Sequence, residues 1–188
     1  MDNAMTPEAF KAAWLTDDRY EWLELPLVAF QGTNLSQATR AWLAQGFPAA
    51  AAPYLTFGPT GEKGEFQPMQ LVFEDIPLPA SAKGLWCFGF DEEGSPLGID
   101  SQNQDQVVWV DHDTDFEESH VIAQNVQVLT EYLLAFRKFF EGGKLQGDDY
   151  VYTQKQVRNL RQTLSAIEPG KLSPFWIREL KYLEEEAE

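Results

Sequence analysis

One cysteine, Cys87, is the entire thiol content of this 188-residue chain. That excludes an internal disulfide and any cysteine-based zinc site, and it fits a reducing compartment. Histidine is almost as scarce, with His112 and His120 the only two. No run of about 18 apolar residues occurs, so no segment reads as a membrane-spanning helix. The first residues, MDNAMTPEAF, lack the basic start and apolar stretch of a secretory signal, and a cytoplasmic location is expected. Three familiar catalytic signatures are also missing: the Gly-x-Ser-x-Gly elbow, the Walker loop, and a Gly-x-Gly-x-x-Gly run leading into a helix.

Positive charge is the most unevenly distributed deficit. From Gly84 to Phe136 there is no Lys or Arg, while eleven acidic residues fall in the same window. From Arg137 onward nine basic and nine acidic residues cancel, so the formal net charge of −16 belongs to the first 136 residues. Such a field repels nucleic acid and attracts basic proteins.

The chain is otherwise well supplied for folding. Hydrophobic residues make up 44% and aromatics 13%, which sets intrinsic disorder aside. A domain of this length buries roughly 70% of its unfolded surface. A single domain over residues 1–188 is expected, with a sheet core and long helix over 35–141 and a helical extension over 150–188.

Thr6-Pro7-Glu8 combines a hydroxyl cap, a proline at the first helical position and an acid in the first turn, which predicts a short helix through Trp14. Leu25 to Phe30 is interrupted by Pro26 and reads as an edge strand at best. Asn34 or Ser36 caps a helix that stops at Gly46-Phe47-Pro48. Apolar runs then follow at Tyr54–Phe57, Gln70–Ile76, Leu85–Phe90, Leu97–Asp100 and Val107–Val110, separated by turn residues too few to hold crossover helices. These predict an antiparallel meander. In Leu85–Phe90 both faces are apolar, which places that strand in the interior of the sheet, with Trp86, Phe88 and Phe90 on one side and Leu85 and Cys87 on the other. Asn125 starts the longest helix, whose stripe Val126, Leu129, Leu133, Phe136 and Phe140 runs to Gly142-Gly143, with Arg137 and Lys138 at its negative end. Two more helices are expected, from about Tyr150 to Ile167 and from Ser173-Pro174 onward, the last with Phe175, Trp176, Leu180 and Leu183 inward. The fold class is therefore α+β, a central mostly antiparallel sheet with flanking helices and a helical C-terminal region.

The stretch DHDTDFEESH, Asp111 to His120, holds both histidines among five carboxylates. Its Asp-x-Asp-x-Asp start resembles a calcium loop, but Phe116 stands where that loop turns on glycine and Ile122 where it needs a bidentate glutamate. The eight-residue spacing of His112 and His120 matches no usual zinc pair, although a metal-dependent or acid-catalysed hydrolase using them stays open as an alternative. Paired-carboxylate catalysis needs one acid set apart by an apolar pocket, and this crowd of acids singles out none. Cys87, inside an apolar strand with no basic neighbour, reads as core. No catalytic residue, metal ligand or cofactor is assigned.

The candidate partner-binding residues are Asp91, Glu92, Glu93, Trp109, Asp111, Asp113, Asp115, Glu117 and Glu118. The acids form one negatively charged surface in this reading. Trp109 shares a face with Val107, which fits core better than an interface anchor, yet its position beside the acidic loop keeps it among the candidates.

Five ordered features resemble the SUKH superfamily of bacterial immunity proteins, which includes the Smi/Knr-type yeast cell-wall regulators. They are Gly46-Phe47-Pro48 after a helix; Phe88-Gly89 followed by Pro96-Leu97-Gly98-Ile99-Asp100; Val107-Val108-Trp109-Val110-Asp111; Asn125-Val126 leading to Phe136; and Ile167-Glu168-Pro169 before Phe175-Trp176. Together they span about residues 35 to 183. The resemblance implies a mostly antiparallel sheet wrapped by helices, no enzymatic activity, and neutralisation of a cognate toxin, often a nuclease or nucleic-acid deaminase. The expected partner is thus a basic toxin protein, not nucleic acid or membrane. A regulatory or scaffolding module of the same fold, for example in cell-wall regulation, is the alternative.

Overall fold

The computed structural model describes residues 5–16, 20–146, 149–170 and 172–188. Helix α1 (Pro7–Trp14) starts where expected, with the Thr6 side chain accepting from the Ala9 N–H, and it buries Phe10 and Trp14. A two-residue strand β1 (Trp22–Leu23) pairs with β2 (Phe47–Pro48), and between them lies helix α2 (Gln37–Leu43), capped by Ser36 through the Thr39 N–H. The expected edge strand over Leu25–Phe30 is instead a 3-10 turn at Leu27–Phe30 that follows Pro26. Proline fixes its own φ and has no N–H to give a ladder, so the pairing stops before it.

The sheet is a six-stranded antiparallel meander in sequence order: β3 (Ala50–Ala51), β4 (Leu55–Phe57), β5 (Trp86–Phe90), β6 (Pro96–Asp100), β7 (Gln106–Val110) and β8 (Ser119–Ala123). Between β4 and β5 the expected strand over Gln70–Ile76 is replaced by helix α3 (Met69–Val72) and a turn, followed by α4 (Ala80–Lys83). A short apolar run fits either element. Here Gln67 to Met69 already bonds the start of β5, with Met69 N–H to Leu85 C=O at 2.8 Å and Cys87 N–H to Gln67 C=O at 2.8 Å. The following residues turn off that edge as a helix and leave Met69 fully buried.

Both faces of the sheet are covered. Phe88, Leu97, Ile99, Val107 and Trp109 contribute to the main core, whereas Leu85, Cys87, Val108 and Val110 join a second cluster with Met69, Leu78, Ala82 and Phe116. β5 is interior, as its two apolar faces predict. One detail differs: Phe90 packs with the Cys87 side rather than with Phe88, because the register shifts between Cys87 and Gly89. An extra residue in one strand reverses the alternation beyond it. Gly89 is required at this place, since a Cβ there would lie 2.0 Å from the Thr56 carbonyl oxygen.

Helix α5 (Val126–Glu141), capped by Asn125 through the Val128 N–H at 2.9 Å, lays Val126, Leu129, Leu133 and Phe136 into the main core. Arg137 is not a solvated cation at the helix end. It is buried, donating to the Trp14 carbonyl, to Thr16 and to Glu141, with its guanidinium 3.6 Å from the Tyr20 ring centroid. After a hairpin of β9 (Lys144–Gln146) and β10 (Asp149–Val151), helices α6 (Gln154–Ile167) and α7 (Pro174–Glu186) return to the same core through Val157, Leu160, Leu164, Phe175, Trp176 and Leu180. Leu183 is half-buried. Trp176 stacks on Tyr132 at 4.9 Å and donates its indole N–H to the Ile122 carbonyl at 2.7 Å, which ties α7 to β8. No helix among the described residues is long and apolar enough to cross a membrane.

Candidate protein-binding end

In a meander the turns after β5 and β7 emerge at the same end of the sheet, and these two turns carry the candidate residues. The first is the tight Asp91–Ser95 turn, closed by Asp91 N–H to Ser95 C=O at 2.9 Å with Gly94 at φ +95°. Left-handed φ at that point suits glycine. The second is the Asp111–Glu118 loop, closed by Asp111 N–H to Glu118 C=O at 2.9 Å, with Asp115 and Phe116 both in left-handed backbone. Phe116 is buried against Phe73, with ring centroids 5.0 Å apart, and pins the loop to the second cluster. Inside the loop, Asp111 Oδ1 accepts from the Asp113 N–H and Thr114 Oγ1 accepts from the Glu118 N–H. The two turns are joined through Ser95 and His112, whose Oγ and Nδ1 are hydrogen-bonded at 2.8 Å.

This geometry divides the nine sequence candidates. Glu92, Glu93, Asp113, Asp115, Glu117 and Glu118 are exposed, Asp111 is half-buried, and Asp91 and Trp109 are buried at 9% and 4% exposure. Asp91 and Trp109 therefore do not present themselves to a partner. Asp91 Oδ1 accepts from the Glu93 and Ser95 N–H groups, and its Oδ2 accepts from the Trp109 indole N–H at 2.8 Å. A carboxylate taken from water needs such donors, and here they also shape the turn.

Two residues from α7 complete the site without having been legible in the sequence. Arg178 lies 3.8 Å from Asp91 Oδ2, bonds Glu179, and sets its guanidinium 4.7 Å from the Trp109 ring centroid. Burial raises the Glu179 pKa above its ordinary value; Arg178 opposes that shift and the negative charges of Asp91 and Glu93 add to it. The C-terminal helix thus supports the acidic end with one cation beneath it. Only the fold brings these residues to Asp91.

The metal reading has one candidate group among the described residues. Asp111, His112 and Asp113 place ligand atoms within 4.8 Å of one another, yet His112 Nδ1 is engaged with Ser95 and its Nε2 lies 3.3 Å from Asp113. His120 stands apart from that group, stacked on Trp109 with rings 5° from parallel. Cys87 is buried, and burial pushes its thiol up to about 12, the opposite of what a nucleophile needs. An open groove of about 630 Å³ lies elsewhere, between the 3-10 turn and α2, lined by Leu27, Phe30 and Ala41 among others, with Arg40 its one ionisable residue. Compared with known protein families, curated proteins and solved structures, the chain matches none of them.

Proposed function

We propose that the chain is a non-enzymatic immunity protein that binds and neutralises a basic toxin, of the nuclease or nucleic-acid deaminase class, through the acidic end of its sheet. The observation that carries this reading is the pair of braced turns. Six exposed carboxylates, from Glu92 to Glu118, stand on two adjacent turns in a window that contains no Lys or Arg. A toxin that grips nucleic acid presents cations, and a fixed array of opposite charge accelerates its encounter by about one to three decades at low salt. The antiparallel sheet with helices on both sides agrees with the SUKH resemblance.

Two further observations favour binding over catalysis. The half-buried histidines serve different partners, Ser95 for one and Trp109 for the other, and the groove beside α2 has no acid–base pair converging on it. Exposed ion pairs contribute only about 0–1 kcal/mol each, so charge supplies rate and orientation, and apolar contacts supply the remaining affinity.

The test identifies the basic protein that co-purifies with the chain and co-expresses it as the candidate toxin. Wild-type protein protects the cell, whereas the variant carrying Asp113→Lys, Asp115→Lys, Glu117→Lys and Glu118→Lys associates at least about tenfold more slowly at low salt, with a flattened salt dependence. Unchanged association kinetics place the interface elsewhere.

A further inference from the structure

Strand β8 ends the sheet, and among the described residues no strand pairs with its outer edge. Which of its backbone groups face outward follows from the register. The Asp111 N–H bonds the Glu118 C=O, and the pairs then run Val110 with Ser119, Trp109 with His120 and Val108 with Val121. Bonded and non-bonded pairs alternate in an antiparallel ladder. Ser119 and Val121 therefore sit in non-bonded pairs, and their N–H and C=O groups point away from β7.

Beyond Val121 this edge is closed. Ile122 and Ala123 are buried, and the Ile122 carbonyl receives the Trp176 indole N–H. Over Ser119–Val121 it is open: Ser119 and Val121 are exposed, and Val121 is one of the few large apolar side chains at the surface, at 37% exposure. Edges of this kind are usually blunted by lysine or proline. Ser119-His120-Val121 has neither, and Glu117 and Glu118 lead directly into it.

We infer that the Ser119–Val121 edge of β8 is a docking site for an extended, basic segment of the partner protein, which adds a seventh strand to the sheet. This rests on the acidic-end reading and specifies the partner's shape. Backbone groups of β8 select an extended chain, Val121 selects an apolar residue beside it, and Glu117 and Glu118 select lysine or arginine at its flank. A net charge of −16 on each molecule opposes a second copy as the occupant.

The probe is a synthetic peptide, Lys-Lys-Thr-Val-Thr-Val-Lys, titrated into the full chain with amide hydrogen exchange read residue by residue. Saturating peptide slows exchange at Ser119 and Val121 by at least about tenfold, equivalent to about 1.4 kcal/mol. Val121→Pro removes an outward donor without touching the ladder to β7 and weakens peptide binding at least about tenfold, while Val121→Thr keeps it within about threefold. The same peptide with Glu for Lys binds at least about tenfold more weakly. Unaltered exchange at Ser119 and Val121 overturns the inference whatever the state of the Val121→Pro variant, and so does protection that grows with protein concentration alone together with a dimer in sedimentation. The two proposals fail separately. If the Lys-reversed loop variant loses the peptide and Val121→Pro does not, the edge is refuted and the acidic end stands; if only Val121→Pro loses it, the acidic end falls.

Discussion

The indole N–H of Trp109 donates to Asp91 Oδ2 at 2.8 Å, so a side chain in the middle of β7 holds the turn that follows β5. The same carboxylate takes two backbone N–H groups of its own turn and lies near Arg178 of α7. Asp91 is thus the point where two strands and the C-terminal helix are fastened together. Its negative charge is spent on the fold, and Glu92 and Glu93 carry the charge that solvent meets.

Asp91→Ala should therefore behave as a core mutation. It leaves the Trp109, Glu93 and Ser95 donors without their acceptor and Arg178 without its nearest buried carboxylate, a loss of about 3 kcal/mol. Glu92→Ala, an exposed neighbour, should stay within about 0.5 kcal/mol of wild type. Urea midpoints of the two variants at constant m-value measure the contrast. Equal midpoints would mean that Asp91 is not a structural residue.

Phe116→Ala separates the position of the acids from their number. The ring pins the Asp111–Glu118 loop to Phe73 and the second cluster, and its removal costs about 3 kcal/mol with no change in charge. Under the proposed toxin-binding role, the released loop should bind the toxin more weakly through faster dissociation, while low-salt association, governed by net charge, changes by less than about threefold. Stopped-flow kinetics on the folded fraction distinguish the two rates.

Much of this arrangement can be read from residues alone. Thr6, Ser36 and Asn125 each announce a helix by a side-chain oxygen followed by an apolar face, and each accepts the expected backbone N–H. The strands of β5, β6 and β7 and their order follow from short connections. What escapes is whatever depends on pairing between distant segments. Gln70–Ile76 has strand-like composition, but the β5 edge beside it is already occupied by Gln67 to Met69. Strand β8 hides in Ser119–Ala123, where a register shift puts Ile122 and Ala123 into the same core and spoils the alternation. At the site, the eleven acids of the window are visible as composition. Which of them are withdrawn from solvent is decided by contacts that exist only in the folded chain: Trp109, Ser95 and Arg178 around Asp91, and the Ser36 N–H that Asp105 accepts at 2.9 Å.

Arg137 illustrates the same limit and yields a third prediction. Its guanidinium bridges α5 to the end of α1 through the Trp14 carbonyl and Thr16, pairs with Glu141 and packs on Tyr20. Arg137→Lys keeps the charge but loses the planar fork, and Arg137→Ala also removes the ion pair with Glu141. Losses of about 2 and about 4 kcal/mol respectively are expected from thermal melts. Two losses below about 0.5 kcal/mol would show that the bridge is ornamental to stability.

Cys87 provides the pH-dependent test. Burial raises its thiol from the ordinary 9.0 up to about 12, with a hydrogen bond from the Gly89 backbone acting in the other direction. A group whose pKa is raised by folding contributes stability that is complete below the unfolded value. That stability is lost as pH climbs through the folded value, because the unfolded chain releases the proton first. Between pH 9.0 and about 12, Cys87 should therefore erode stability with a slope of at most about 1.4 kcal/mol per pH unit. Cys87→Ala lacks this slope and gives up some packing instead, so its deficit against wild type, measured by urea midpoints, should shrink between about pH 8 and about pH 10.5. A deficit that stays constant would mean that the thiol titrates at its unfolded value, and the sulfur would then have to be in contact with water rather than enclosed between β5 and the second cluster.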